Sequence, residues 1–302
     1  MLAEAVQPVD LAAEIGAVAA DVDDLFDALL PVPDDGRARL FQAMRHAAIG
    51  GGKRLRPLLT VAAGRLFHLD PDQCLRVGAA IEAIHVYSLI HDDLPCMDDD
   101  DLRRGKPTVH KAFDEATAVL AGDSFHDLAF TLLADPVTHF DPGVRAALVL
   151  ALAHASGVGG MAGGQMLDLA AEGVELDIGQ VTRLQQLKTG ALIEYAIEAA
   201  CIMAHLPDDR RTPYRGYARD LGLAFQIADD LLDHGGDETA AGKRLGKDAA
   251  AGKATFVSLL GEDRARAQAA MLVDQAIAHL HGHGAEGDLL RAIARYVTER
   301  NR

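Results

Sequence analysis

The sequence predicts an all-α protein, a single large helical bundle, and three observations carry that prediction. Apolar residues recur at a period near 3.6 along most of the chain. Alanine is abundant, and β-branched alternating runs closed by Asn-Gly or Asp-Gly are missing, so hairpins are not expected. Turn-forming clusters fall between the periodic segments, at 31–36 (PVPDDG), 69–72 (LDPD), 134–143 (ADPVTHFDPG), 206–213 (LPDDRRTP) and 281–288 (HGHGAEGD). The 302 residues show no composition shift and no long linker, so 1–302 reads as one domain of ten or more helices.

Taken in order, helical spacing marks 40–49 (LFQAMRHAAI), 74–90 (CLRVGAAIEAIHVYSLI), 118–133 (AVLAGDSFHDLAFTLL), 184–204 (LQQLKTGALIEYAIEAACIMA), 217–233 (YARDLGLAFQIADDLLD) and 292–300 (AIARYVTER). The longest uncharged run, Ala146 to Leu167, is long enough to span a bilayer. Its His154, Ser156, Gln165 and five glycines make it a poor hydrocarbon-facing helix, and a buried helix that breaks near the glycines is expected instead. HLHGHG (279–284) sits between two amphipathic segments and reads as a helix–helix turn, not a ligand set.

Composition narrows the function. Hydrophobic residues make up 49 % and charged residues 25 %, enough to bury a sizeable core. The net charge of −16 argues against a nucleic-acid or anionic-membrane partner, and makes any local basic cluster informative. Cys74, Cys96 and Cys201 are too few for a disulfide framework, and MLAEAVQPVDLAAEIG lacks the basic start of a secretory signal; both point to the cytoplasm.

The chemistry concentrates in two acidic motifs. The stretch HDDLPCMDDDDLRRGKPTVH, 91–110, puts six aspartates within ten residues and follows them with Arg103, Arg104 and Lys106. Asp92 and Asp93 follow an apolar run, but Cys96 stands where the next carboxylate in phase would be. Pro95 removes a helical donor and biases Leu94 away from helical geometry, so the helix is expected to end or bulge there and return Asp98 to the group. Asp99 to Asp101 read as solvated loop charges. The second motif, FQIADDLLDHGGDE, projects Asp229, Asp230 and Asp233 from one surface of a buried helix, where they repel one another unless cations lie between them. Lys243, Arg244, Lys247 and Lys253 follow it; Lys53, Arg54 and Arg56 form a third basic cluster in GGGKRLRP, and Lys188 stands alone in LKTG. Both signs together suit one substrate class. Mg²⁺ takes one or two carboxylates and shares the rest of its shell with substrate phosphates, while Arg and Lys neutralise the oxygens it does not reach. GGGK lacks P-loop spacing, and G-x-S-x-G, C-x-x-C, H-E-x-x-H and EF-hand patterns are absent.

These motifs resemble the trans-isoprenyl diphosphate (polyprenyl) synthases, from GGGKRLRP through HDDLPCMDDDDLRRGKPT, GGQMLDL, LKTGALI and FQIADDLLD to GKRLGKD and GKAT. The resemblance implies a helical bundle around a central apolar cavity, and a homodimer. It implies that Asp92, Asp93, Asp98 and Asp229 bind three Mg²⁺ ions on the allylic diphosphate, with Asp230 and Asp233 completing the second motif. Arg103, Lys188 and Lys243 would hold that diphosphate. Lys53, Arg54, Arg56, His85 and Arg104 would bind isopentenyl diphosphate without metal. Thr189 and Gln226 would border the reacting carbons and stabilise the carbocation, and Lys253 would contact the diphosphate on closure. Chain length is set in this family just upstream of the first motif, where Tyr87 and Ser88 stand; an aromatic ring resembles the fifteen-carbon synthases, a small residue the twenty-carbon ones. A terpene cyclase would have no use for GGGKRLRP and Arg104, and intact motifs argue against a non-catalytic partner subunit.

Overall fold

A computed structural model describes residues 9–171, 173–235 and 254–299. The elements run α1 (Leu11–Leu29), α2 (Ala38–Ala48), α3 (Leu55–Leu66), α4 (Pro71–Asp92), β1 (Leu102–Arg103), β2 (Lys106–Pro107), α5 (Val109–Ala112), α6 (Glu115–Ala134), α7 (Pro142–Ser156) and α8 (Met161–Ala170). They continue with α9 (Ile178–Gln185), a π-turn (Gln186–Gly190), α10 (Ala191–Met203), α11 (Thr212–Gly235), α12 (Phe256–Leu260), α13 (Glu262–Ala278) and α14 (Asp288–Glu299). The all-α expectation holds, and the turn clusters of the sequence fall between helices.

Many of the aspartates work at helix starts. Asp10, Asp70, Asp114, Asp141 and Asp177 each accept a backbone N–H from the first turn of the helix that follows. Such caps contribute about 1 kcal/mol each. Pro71 and Pro142 add a fixed φ at the first helical position, where no donor is needed.

The core is apolar on both sides of α4 and α10. Helix α4 packs against α6 and α3, and α10 against α3, α7 and α11. Phe26 and Phe125, both fully buried, meet edge to face with centroids 5.9 Å apart. Glycine permits the closest approach of α6 to α4: a Cβ at Gly122 would lie 2.1 Å from His91 Nε2.

Three expectations need correction. A hairpin exists: Leu102 pairs with Pro107 and Arg103 with Lys106. Arg104 (φ 54°) and Gly105 (φ 76°) make its two-residue left-handed turn, a connection the search for Asn-Gly or Asp-Gly passed over. Asp100 and Asp101 are not simply solvated; Asp100 accepts from Arg103 at 3.1 Å and Asp101 pairs with Lys111 at 2.8 Å, bracing that hairpin. The apolar run does break, at 157–160 between α7 and α8, but only 33 % of the most apolar window of Pro142–Ala170 is buried. Leu150 and Val158 are exposed. By length and composition this is the one stretch among the described residues that could cross a membrane. At the 279–284 turn, His279 faces Asp220 at 3.2 Å and His283 meets the Tyr214 hydroxyl at 2.9 Å.

Candidate active site

Helix α4 ends at Asp92 and the chain winds back over its own terminus. The Asp98 N–H bonds the Asp92 carbonyl at 2.8 Å and the Asp100 N–H bonds that of Asp93 at 3.2 Å, with Asp99 left-handed at φ 48°. This is how Asp98 returns to the helix end despite Pro95. Burial pushes the Asp92 carboxyl up to about 6; Lys188 acts against it, while Asp98 and Asp93 add to it.

In each aspartate pair the second member is the more deeply buried and is held by the protein. Asp93 is 3 % exposed and accepts Arg103 Nε at 3.0 Å. Asp230 is 5 % exposed; it accepts Gln226 Nε2 at 2.9 Å and the Phe256 N–H at 2.8 Å. The Thr189 hydroxyl donates to Gln226 Oε1 at 3.2 Å, so one hydrogen-bonded chain joins the π-turn, α11 and the start of α12. Asp93 thus holds the Arg103 side chain and Asp230 the Gln226 side chain.

Asp92, Lys188 and Thr189 border a cavity of about 510 Å³, lined also by Arg56 and His85 and by the apolar Leu89, Leu94, Met97, Val119 and Met161. Tyr87 and Ser88 line it as well. The Tyr87 ring stands edge-on to His91 at 5.1 Å and His126 at 5.4 Å, and His126 tilts against Phe130 at 5.0 Å. Sequence reasoning reached Tyr87 but not this buttress, because His126 arrives from α6.

A second cavity of about 190 Å³ adjoins it, sharing Arg56 and His85 and adding Lys53, Arg54 and Arg104. Buried Glu82, 1 % exposed, organises the cations: Arg54 Nη1 reaches it at 2.8 Å and Arg104 Nη2 lies 3.7 Å away. Arg54 also takes Asp23 at 2.7 Å and the Ala48 carbonyl. Its guanidinium is thus committed to the core, and of the three basic residues in GGGKRLRP it is the one with a scaffolding duty. Burial first, then the charges of Arg56, Arg104, Arg54 and Arg103, hold His85 well below its ordinary pKa, so it is neutral at pH 7. Arg56 Nε is buried with no hydrogen-bond partner. A buried cationic group with a spare donor is a site for an anion. Lys53 Nζ stands 5.2 Å over the Tyr296 ring of α14.

The glycines before Lys53 are required by the hairpin. Gly52 has φ +86°, and a Cβ there would meet Arg104 Cζ at 2.5 Å. Arg104 Nη1 donates to the Gly51 carbonyl at 3.1 Å and Lys106 Nζ to that of Ile49 at 2.8 Å. Adjacent residues of one hairpin therefore take different carboxylates, Arg103 that of Asp93 and Arg104 that of Glu82, and Arg104 lines the smaller cavity.

Lys243 and Lys253, with Arg244 and Lys247, lie outside the described residues. Among the described residues no three His, Cys, Asp or Glu side chains are already gathered as a ligand set. The donors present are carboxylate oxygens on two separate helices, suited to a hard cation that completes its shell with phosphate oxygens.

The polyprenyl synthetase family model matches residues 37–294. The farnesyl diphosphate synthase of Escherichia coli K12 is 44 % identical over 86 % of this chain and 89 % of its own length. A solved FPP/GFPP synthase from Zymomonas mobilis is 58 % identical with a TM-score of 0.88, covering 96 % of this chain and 99 % of that one. A geranyltransferase from Helicobacter pylori, solved in complex with magnesium and isoprenyl diphosphate, is 29 % identical with a TM-score of 0.83, over 98 % of each chain. An all-α bundle whose apolar cavity carries Asp92 and Lys188 and shares Arg56 and His85 with a cationic cavity defines a prenyl-transferring enzyme. The chain belongs to the polyprenyl synthetase family.

Proposed function

We propose that this chain, as one synthase domain, condenses isopentenyl diphosphate head to tail with dimethylallyl or geranyl diphosphate to make farnesyl diphosphate. The observation that carries this reading is the pair of neighbouring cavities that share Arg56 and His85, one apolar and carrying Asp92 and Lys188, the other cationic around Lys53, Arg56 and Arg104. Isopentenyl diphosphate occupies the cationic one, its anion taken by Lys53, Arg56 and Arg104 beside neutral His85. Arg103 and Lys188, with Lys243, hold the allylic diphosphate. Asp92, Asp98 and Asp229, with Asp233 completing the second motif, would hold the magnesium, three ions being expected; when bound, it would stabilise charge on the leaving diphosphate.

The chain's own groups do the rest. Lys188 and Arg103 draw negative charge onto the diphosphate oxygens as the allylic C–O bond breaks. Thr189 and Gln226, fixed through Asp230, turn oxygen dipoles toward the cationic carbons. The apolar wall excludes water from the cation until the isopentenyl double bond attacks. A proton then leaves to the departed diphosphate, and the new double bond forms. The Tyr87 ring, buttressed by His91 and His126, stops the tail at fifteen carbons.

Three scattered cysteines support a cytoplasmic enzyme, and the net charge of −16 supports one without a membrane or nucleic-acid partner. The exposed apolar face of α6 and α7 supports a homodimer. The decisive assay gives the purified chain Mg²⁺, isopentenyl diphosphate and each allylic primer in turn. The expected product is fifteen carbons long, with farnesyl diphosphate refused as primer and turnover lost on chelation. Products of twenty or more carbons would overturn the Tyr87 stop, and no condensation with any primer would overturn the enzyme reading.

A further inference from the structure

The wall of the larger cavity that carries Lys188 is made where α8 meets the π-turn, and the two backbones touch. A Cβ at Gly164 would lie 2.2 Å from the Lys188 nitrogen and 2.6 Å from its Cα, so only glycine allows the approach. Four residues on, on the same face of α8, the Asp168 carboxylate takes the Lys188 ammonium at 2.7 Å. Asp168 is 8 % exposed, a depth at which a carboxylate persists only with partners. Gln165, between the two, lines the cavity and keeps a buried Nε2 with no hydrogen-bond partner.

A lysine on its flexible four-carbon stem has no fixed position of its own. Here a glycine contact sets its backbone and a buried carboxylate sets its charged end. Lys188 and Asp92 line the same cavity, so the lysine shares it with the first aspartate motif.

We infer that Asp168 is a positioning residue for ionisation of the allylic substrate, acting through Lys188, with Gly164 fixing the backbone from which that lysine reaches. Asp168 stands behind Lys188, outside the cavity lining; it determines where the lysine charge stands when the diphosphate leaves. The inference rests on the proposed role of Lys188 as a diphosphate ligand.

The test is a double-mutant cycle in the full chain, with Asp168→Asn, Lys188→Ala and both together, reading kcat and each substrate's KM. Asp168→Asn is expected to lower kcat by about 10- to 100-fold, the scale of a small misplacement of a reacting group, with the KM for isopentenyl diphosphate changed by less than about twofold. In the Lys188→Ala background the same change is expected to cost less than about threefold. Asp168→Glu, which keeps the charge, is expected to restore part of the rate, and it replaces Asn in the cycle if Asn prevents folding. An equal loss in both backgrounds would show that Asp168 does not act through Lys188. A joint rise of both KM values with a lowered melting temperature would reduce it to a structural residue. If Lys188→Ala alone left kcat and the allylic KM unchanged, the reading of Lys188 would fall first, and this inference with it.

Discussion

Asp92 sits where burial, Asp98 and Asp93 all oppose its charge, and only Lys188 and Arg103 favour it. Its folded pKa of about 6 lies above the unfolded value, so the metal-free folded chain binds more protons than the unfolded chain between about pH 4 and pH 6. Stability therefore falls as pH rises through that window, and the whole penalty is present above it. Asp92→Asn is expected to raise the stability of the chelated protein at pH 7.5 by about 1–2 kcal/mol, discounted for partial exposure, and to leave it unchanged near pH 4. Thermal melts with chelator at the two pH values check this; an equal gain at both would assign the effect to something other than charge. The same variant is expected to lose activity by orders of magnitude, because the group that costs stability is the one proposed to bind the cation.

At the scale of elements, α4 does two jobs that its sequence position links. Its last turn presents Asp92, and the turn before presents Tyr87 into the same cavity. Removing the ring with Tyr87→Ala opens the space between α4 and α6, and His126 stays on α6. The expected outcome is a product distribution moved from fifteen to twenty carbons with ionisation intact; an unchanged distribution would place the stop elsewhere on the wall. The π-turn is the second such element. Its wider winding, which often marks functional sites, places Lys188 and Thr189 side by side on the cavity. The hairpin is the third, with the left-handed Arg104 and Gly105 sending Arg103 to Asp93 and Arg104 to Glu82.

For the whole molecule, the stretch from Pro142 to Ala170 is apolar yet two-thirds of its most apolar window is unburied in the isolated chain. Leu120 of α6 and Leu150 of α7 are both exposed. Apolar faces of that kind mark association surfaces. A second copy of the chain is the expected partner, giving a particle of about twice 32.0 kDa by light scattering. Leu150→Asp is expected to shift that mass to a single chain at micromolar concentration; a variant that stays at the wild-type mass would move the interface to another face.

The sequence by itself determined the all-α class, the helix boundaries set by Asp and Pro caps, and the two acidic motifs with their basic sequels, because these follow from periodicity and local chemistry. It also placed Tyr87 one turn before Asp92. The tertiary structure decided which charges face substrate and which hold the scaffold. Arg54 and Arg56 stand two residues apart in one cluster, yet the Arg54 guanidinium is tied to Glu82 and Asp23, whereas Arg56 lines both cavities. Asp92 and Asp93 are neighbours with equal claims in the sequence, and only Arg103, brought back by the hairpin, separates their duties. Glu82 and His126 carried no signal of their own, and Asp168 stood within GGQMLDL without its partner, since each acquires its role from a residue 20 or more positions away in the chain. Burial and pairing of charge are properties of distant segments meeting, and no local pattern records them.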